Sequence, residues 1–216
     1  MKTIEIDVIS DVICPWCFLG KRRLDKALAS LDDIKVEVNW QPFFLDSTIP
    51  REGMSRRSYL ESKFGPERLK TIHDPLIAAG KEDGVPYAFD KITRTPNTMD
   101  AHRLIRWSHV TGKQQDVAER LFMAYWNGGL DVGDRNVLLK IAGDAGLDQA
   151  GVLQKLRDGV DIDAVEAEVN HAARMGVTGV PCFIFARKQG LMGAHPAEQL
   201  AKAIRQFASE VSPAPV

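Results

Sequence analysis

The sequence is poor in cysteine, in long apolar runs and in net charge, and each shortage excludes a class of protein. Its 216 residues include three cysteines, Cys14, Cys17 and Cys182, an odd and small number that does not suit a disulfide framework. The longest obvious apolar run, residues 180–186, is far shorter than the roughly 20 residues that a membrane-spanning helix needs. The formal net charge of −1 argues against a nucleic-acid-binding protein, because phosphate recognition leaves a basic patch.

The first ten residues, MKTIEIDVIS, also lack the pattern of a secretory signal. Glu5 and Asp7 stand where a signal peptide needs an uninterrupted apolar stretch. We therefore expect a cytoplasmic protein without membrane association. Its 44% hydrophobic and 26% charged residues are typical of a chain that buries a core.

The first forty residues show two strand patterns around a helix pattern. Residues 3–9 and 34–40 alternate apolar and polar side chains, which is typical of strands. Between them apolar residues recur at helical spacing, and Pro15 suits the first position of a helix. The spacing predicts a parallel β-α-β unit with Cys14 at the start of its helix.

Helix signals then follow one another from residue 55 to residue 156. Ser55 and Asn97 are predicted to be N-caps, and Gly65 and Gly112 to follow the ends of their helices. We see no internal repeat in this stretch.

The last part of the chain returns to a mixed pattern. A helix that ends at Gly176 precedes a predicted strand over 181–186, a turn near Gly190 and a short second strand. Pro196 opens the final helix, and the tail VSPAPV is expected to be frayed.

This order of elements predicts an α/β protein with a thioredoxin-like fold. An all-helical domain is inserted between a β-α-β half and an α-β-β-α half. We assign residues 1–45 and 159–216 to the thioredoxin-like domain and residues 46–158 to the inserted helical domain.

The Cys14–Cys17 pair has three chemical interpretations: a zinc site, a structural disulfide or a redox-active dithiol. Zinc needs four ligands, and no second cysteine pair or paired histidine spacing supplies them, so no metal site is predicted. A structural disulfide is disfavoured by the reducing cytosol and by the very small loop it would close. A strand before the pair and a helix after it favour the redox interpretation.

The redox interpretation assigns different roles to the two cysteines. The amides and dipole of a helix N-terminus stabilise a thiolate, which is the attacking species. Cys14 precedes the helix, so we predict that it is exposed and attacks disulfides. Cys17 lies almost one turn inside and is predicted to be covered and to resolve the mixed disulfide. Pro15 and Trp16 restrict the turn between them.

The segment GVTGVPC, residues 176–182, supplies a second signal. Only about 5–6% of bonds that precede proline are cis, so this sequence alone does not predict a cis bond. In a thioredoxin-like fold, however, this loop faces the cysteine pair. We therefore predict a cis Val180–Pro181 bond and a Val180 backbone that hydrogen-bonds an incoming peptide.

Six blocks, in this order, make the chain resemble the DsbA superfamily. They are SDVICPWCFLGKRRL, VNWQPFFLD, SYLESKFG, NTMDAHRLIRW, LFMAYWNGGLDVGDRNVLLKIA and GVTGVPCFIF. The chain is similar to the FrnE-like branch, near 2-hydroxychromene-2-carboxylate isomerases and kappa-class glutathione transferases. The resemblance covers residues 4–208 and implies a thioredoxin fold with a helical insertion and thiol–disulfide exchange.

The neighbouring branches leave alternatives open. The isomerases and kappa transferases resemble this chain but have a serine where Cys14 stands, and they use it to activate glutathione. Two cysteines favour the redox branch here. A glutathione-dependent isomerase or transferase working through Cys14 stays an alternative, as does a chaperone-like binder whose helical domain holds unfolded clients. Cys182 departs from the family pattern and is either a buried inert thiol or a third redox thiol that exchanges with Cys14.

The sequence thus predicts a protein disulfide oxidoreductase that acts on protein or small-molecule thiols and disulfides. No bound cofactor is expected, and glutathione is a candidate reductant or ligand. No nucleic-acid or membrane partner is expected, and the chain is predicted to be a monomer or a homodimer. The predicted site consists of Cys14 and Cys17 as catalytic residues, with Pro15, Trp16, Val180 and Pro181 shaping it and the Val180 backbone binding substrate.

Overall fold

A four-stranded sheet forms the centre of the molecule in the computed structural model, which describes residues 2–210. The strands are β1 (Lys2–Ser10), β2 (Ile34–Pro42), β3 (Met54–Ser55), β4 (Arg94–Thr95), β5 (Cys182–Phe185) and β6 (Gln189–Met192). The central sheet has the order β2-β1-β5-β6, while β3 and β4 form a separate two-residue ladder. β1 and β2 are parallel, and β5 pairs antiparallel with both β1 and β6.

Nine α-helices surround the sheet within the described residues. They are α1 (Pro15–Ala29), α2 (Arg56–Phe64), α3 (Asp74–Asp83), α4 (Met99–Ser108), α5 (Gln114–Trp126), α6 (Arg135–Asp144), α7 (Gln149–Arg157), α8 (Ile162–Arg174) and α9 (Ala197–Glu210). Short 3₁₀ turns lie at Arg68–Lys70 and Phe89–Lys91. The order is β1-α1-β2, six helices, and α8-β5-β6-α9, which confirms the predicted fold class.

The alternation of side chains along β1 places helices on both faces of the sheet. Ile4, Ile6 and Val8 are buried in the core that also contains residues of α1 and α9. Ile9 points the other way and packs with Ala172 of α8. The end of β1 therefore leads, through a short turn, straight into the helix that carries both cysteines.

The helical block from α2 to α7 shares its core with the sheet. The ring of Phe18 in α1 stacks on Phe122 in α5 with centroids 5.4 Å apart, and Trp40 of β2 contacts Phe122 at 6.0 Å. Ion pairs add to this contact, since Arg23 of α1 binds Asp83 of α3 at 2.6 Å. The domain boundaries at 45/46 and 158/159 stay a prediction.

Two helix starts agree with the sequence to within one residue. The Ser55 side chain caps α2 by accepting a hydrogen bond from the amide of Ser58. Asn97 lies one position before the N-cap Thr98 of α4, yet its side chain still accepts from the amide of Met99 at 3.0 Å.

The predicted turn near Gly190 was wrong, because Gly190 lies within β6. The turn of the β5–β6 hairpin is formed by Ala186 and Arg187, whose φ angles are 48° and 56°. Turns of this kind usually contain Asn or Gly, so an Ala-Arg pair leaves no signal in the sequence. The tail 211–216, predicted to fray, lies outside the described residues.

Two features are absent from residues 2–210. In that range no helix is long and apolar enough to cross a membrane. Nor does that range contain a group of three or more His, Cys, Asp or Glu side chains arranged to hold a metal ion.

Candidate active site

The cysteine pair lies at the first turn of α1. Cys14 is the N-cap, with an extended backbone (φ −87°, ψ 116°), and Pro15 is the first helical residue. The amides of Cys17 and Phe18 lie 3.1 and 3.4 Å from the carbonyl oxygen of Cys14. These backbone hydrogen bonds make Cys14 the N-cap of α1, although its sulfur accepts no hydrogen bond from the amides of the first turn.

Cys14 is buried, which corrects the prediction that it would be exposed. Only 3% of its surface is accessible, while the side chain of Trp16 next to it is 40% exposed. The Cys14 sulfur lies 3.7 Å from the carbonyl oxygen of Val180. The Val180–Pro181 peptide bond is cis, as predicted. Residues far away in sequence thus cover the thiol, so its position in the chain could not reveal its burial.

The Pro181 ring packs directly against α1. A Cβ built on Gly20 would lie 2.8 Å from Cγ of Pro181 and 3.3 Å from the Phe183 ring. Only a glycine fits at this point of the helix without a shift of the loop. Gly20 therefore allows the loop that carries Pro181, called the proline loop below, to approach α1, the helix that carries both cysteines.

Cys17 lies deeper and is 1% exposed. Burial raises the pKa of the Cys17 thiol well above its usual value, and the adjacent Cys14 sulfur raises it further. The Ser10 hydroxyl and the Asp11 amide act in the opposite direction. Cys17 is therefore protonated at neutral pH, as suits a thiol that reacts second. Cys14, Cys17 and Cys182 are all free in the structure.

Side chains of the helical block hold the backbone around the cysteines. The Tyr87 hydroxyl donates to the carbonyl of Pro15 at 2.6 Å, and the Trp126 indole donates to the carbonyl of Val12 at 2.9 Å. Burial raises the pKa of Tyr87 far above its usual value, so the phenol keeps its proton and stays a donor. The insertion thus fixes the turn that presents the thiols.

Asp11 is 1% exposed and holds the turn between β1 and α1 through its side chain. Its carboxylate accepts hydrogen bonds from the amides of Leu45 at 2.7 Å and Ile13 at 3.4 Å. The Nε2 atom of His102 lies 3.0 Å from the carbonyl of Phe43 and 3.5 Å from Oδ1 of Asp11. Because both neighbours accept, this nitrogen carries the proton. Asp11 and His102 therefore join β1, the segment after β2 and α4 behind the cysteine turn.

Comparison with known proteins agrees with this geometry. The family model described as the DSBA-like thioredoxin domain matches residues 5–205. The chain belongs to the DSBA-like thioredoxin family. This family includes oxidoreductases and isomerases, and Cys14 and Cys17 lie close together in this member.

One solved structure and one further protein are similar to this DSBA-like protein over most of its length. A probable DsbA oxidoreductase from Streptomyces coelicolor is 30% identical, with a TM-score of 0.86, over 99% of this chain and 93% of the other. The uncharacterized protein YwbO of Bacillus subtilis is 28% identical over 84% of this chain and 86% of its own length.

Two more distant structures share the fold alone. A 2-hydroxychromene-2-carboxylate isomerase is 18% identical with a TM-score of 0.71, covering 96% of this chain and 100% of the other. The cytosolic disulfide reductase DsbM from Pseudomonas aeruginosa, solved with glutathione, is 16% identical with a TM-score of 0.61, covering 95% and 96%.

The third cysteine of this DSBA-like protein lies away from the pair. Cys182 packs with Ile9, Ala172 and Val177 on the α8 side of the sheet, whereas Cys14 and Cys17 lie in the core on the α1 side. Burial raises the pKa of the Cys182 thiol. This placement favours the interpretation of Cys182 as a buried, inert thiol.

A cleft of about 660 Å³ opens on the α8 side of the sheet. Its lining includes polar side chains of β1, β2, α4 and α8 together with apolar residues such as Trp40 and Phe122. Neither Cys14 nor Cys17 borders the cleft.

The sequence interpretation missed four residues that hold the site, namely Asp11, Tyr87, His102 and Trp126. Only Asp11 had a local signal, because a polar residue follows the strand directly before the cysteine pair. The residues around Tyr87, His102 and Trp126 in the chain do not mark these three as neighbours of the cysteine pair. Their contacts with the turn depend on tertiary packing across 72 to 114 residues of chain.

Proposed function

We propose that this chain is a thiol–disulfide oxidoreductase in which Cys14 is the nucleophile and Cys17 the resolving thiol. The observation that carries the proposal is the position of Cys14 as N-cap of α1, with Cys17 one turn below it and the Val180 carbonyl 3.7 Å from its sulfur. Family membership adds weight to the proposal, because the DSBA-like family includes oxidoreductases.

The proposed reaction has two steps. The Cys14 thiolate attacks a substrate disulfide R–S–S–R′, forms a Cys14–S–S–R bond and expels R′–S⁻. Cys17 then attacks the Cys14 sulfur, closes the Cys14–Cys17 disulfide and expels R–S⁻. The enzyme loses two electrons and the substrate gains two, and the sequence runs in reverse when the enzyme oxidises a dithiol.

The residues around the cysteine pair would shape the turn and contact the substrate. Pro15 and Trp16 restrict the turn between the thiols, and the exposed Trp16 ring and the Val180 backbone would meet the substrate. Pro181 would limit the approach to Cys14. Because Cys14 is 3% exposed, a substrate sulfur reaches it only after the covering residues move.

Glutathione is proposed as the small-molecule partner that returns Cys14 and Cys17 to the dithiol. The structural likeness to a cytosolic disulfide reductase solved with glutathione supports testing this compound first. Protein disulfides are the other proposed substrates. A cytoplasmic location and a monomeric or homodimeric state stay predictions.

The test is a redox titration of the wild-type protein in glutathione buffers, with alkylation of free thiols and mass mapping. We expect a reversible Cys14–Cys17 disulfide, and a trapped Cys14–glutathione mixed disulfide in a Cys17→Ser variant. If no 14–17 disulfide forms at any ratio of glutathione to glutathione disulfide, the proposal is wrong.

The same variants test the two alternative functions. A glutathione-dependent isomerase would keep its turnover in Cys17→Ser and lose it in Cys14→Ser. A chaperone-like binder would protect unfolded clients equally well with both cysteines replaced. Either result would replace the exchange mechanism proposed here.

A further inference from the structure

Strand β2 lies at an edge of the central sheet, and half of its backbone groups face away from β1. The sheet order β2-β1-β5-β6 gives β2 a single strand neighbour within the described residues. The backbone of Trp40 shows the outward direction, because its amide donates to Oε1 of Gln114 at 3.1 Å and its carbonyl accepts from Nε2 at 3.5 Å. Since this direction alternates along a strand, the amides and carbonyls of Ile34, Val36 and Val38 face outward too.

The outward groups of residues 34–38 have no hydrogen-bond partner in the part of the chain that the structure describes. Gln114 covers the edge only at Trp40. We therefore call residues 34–38 the open edge of β2. An unpaired strand edge of this kind is a template for pairing with another chain.

The side chains of the open edge form one apolar row and one charged pair. Ile34, Val36 and Val38 lie on the α1 side of the sheet, where Val36 and Val38 pack against the core but stay partly exposed. Lys35 and Glu37 lie on the opposite face, with side chains 61% and 45% exposed, and form an ion pair at 2.6 Å. The two opposite charges thus stand one residue on either side of Val36.

We propose that a second copy of this chain pairs with the open edge, so that two β2 strands meet antiparallel around Val36. Two identical edges related by a two-fold axis run antiparallel, and an axis at Val36 makes this residue its own partner. In that register the outward amide and carbonyl of Val36 bond those of Val36 in the second copy. Ile34 pairs with Val38 in the same way, and the two sheets become one continuous sheet.

The charges of the open edge favour this register over its neighbours. With the axis at Val36, Lys35 lies directly opposite Glu37 of the second copy, and this attraction occurs twice. An axis at Lys35 would place two lysines opposite each other, and an axis at Glu37 would place two glutamates opposite each other. Charged side chains usually protect a strand edge from pairing. Here their order attracts an identical edge in one register.

The paired sheet leaves both cysteine turns accessible. Val36 lies beside Ile4 in the sheet, and the path along β1 from Ile4 to Ser10 is roughly 20 Å. Because the two β2 strands are antiparallel, the turns that carry Cys14 lie at opposite ends of the joined sheet. The inference therefore does not depend on the proposed function.

Analytical ultracentrifugation and light scattering of the full chain, at concentrations up to about 1 mM, test the dimer through its charges. Lys35→Glu and Glu37→Lys each leave the open edge with charges of one sign. We expect each variant alone to raise the dissociation constant of the dimer roughly tenfold. An equal mixture of the two variants brings opposite charges together across the axis and should restore the dimer.

Lys140→Glu is the matched control, because Lys140 also forms an exposed ion pair, with Asp144 in α6 at 2.6 Å. It changes the net charge by the same amount and should leave the dissociation constant unaltered. The inference is wrong if Lys35→Glu dimerises as tightly as the wild type, or if Lys140→Glu weakens the dimer equally. It is also wrong if the wild type stays monomeric at about 1 mM.

Amide hydrogen exchange locates the interface. In the wild type the outward amides of Val36 and Val38 should exchange more slowly as the protein concentration rises. The amides of Lys35 and Glu37 already face β1, so their exchange should not depend on concentration. A dimer in which the Val36 amide exchanges as fast as in monomeric Lys35→Glu would place the interface elsewhere and overturn the inference.

Discussion

The hydroxyl of Tyr87 donates a 2.6 Å hydrogen bond to the carbonyl oxygen of Pro15, across 72 residues of chain. The Tyr87 ring also meets the rings of Phe18 and Trp126 edge-on, each at 5.8 Å. The helical block therefore contributes directly to the turn that carries Cys14. The helical insertion is therefore part of the structure that holds the candidate active site.

Replacement of Tyr87 by phenylalanine tests this contact while keeping the ring packing. We expect the free energy of unfolding to fall by about 0.5–1.5 kcal/mol, the net value of one hydrogen bond, and the rate of Cys14 alkylation to change. Chemical denaturation and timed alkylation with mass detection measure the two effects.

The control for this prediction is Tyr125→Phe. The Tyr125 hydroxyl donates to the carbonyl of Arg94 at 3.1 Å, away from the cysteines. It should cost similar stability and leave Cys14 alkylation unaltered. If both variants change alkylation equally, Tyr87 has no special link to the turn.

Replacement of Gly20 by alanine should destabilise the protein, against the usual helix preference. Alanine in a helix interior is favoured over glycine by about 1 kcal/mol. Here the new methyl group would lie 2.8 Å from Pro181, so we expect a net loss of about 1–3 kcal/mol from overpacking. Disulfide exchange should also slow, because the loop beside Cys14 must shift.

The matched helical glycine is Gly143 in α6. The nearest neighbour of a methyl group there is the exposed Gln149 side chain, which can rotate away at the loss of its hydrogen bond to the Leu139 carbonyl. Gly143→Ala should therefore be close to neutral in the same denaturation experiment, because the helix preference for alanine offsets the loss of that one exposed hydrogen bond. A stable and fully active Gly20→Ala protein would show that the proline loop does not depend on this contact.

The fold could be predicted from the sequence because its signals are local. The alternating strands at 3–9 and 34–40, the proline at the first turn of α1 and the serine cap of α2 each depend on residues a few positions apart. The burial of Cys14 could not be predicted in the same way. Its cover involves Val180, which is 166 residues away, and no pattern around position 14 records that contact.

The supporting residues of the site illustrate the same limit. Asp11 binds the Leu45 amide, and His102 binds the Phe43 carbonyl, so both depend on how the segment after β2 packs. A lone histidine on a helix is usually a surface or core residue, and its sequence neighbours do not distinguish these cases. Only the assembled core brings Asp11 and His102 together.

Replacement of Cys182 by alanine tests whether the third thiol takes part in exchange. Cys182 lies on the opposite side of the sheet from Cys14, so formation of the 14–17 disulfide and its dependence on glutathione should be unchanged. Loss of the buried sulfur should cost about 1 kcal/mol of stability by leaving a small cavity. A change in the glutathione ratio at which the 14–17 disulfide forms in this variant would support a redox role for Cys182.

Replacement of Asp46 by asparagine should destabilise the protein in a pH-dependent way. Hydrogen bonds from Thr48 and Lys63 lower the pKa of Asp46 from 3.8 to about 2. A lowered pKa in the folded state means that the ionised form stabilises the fold above the unfolded pKa and that this gain is lost as pH falls through about 2. We expect a loss of about 1 kcal/mol at pH 7 after allowance for solvent screening. Thermal unfolding of both proteins from pH 7 downward should show the difference shrink below about pH 4.

Asp144→Asn, which breaks an exposed pair with Lys140, is the control and should cost less stability at pH 7. A difference for Asp46→Asn that does not change with pH would assign its effect to loop packing instead of charge.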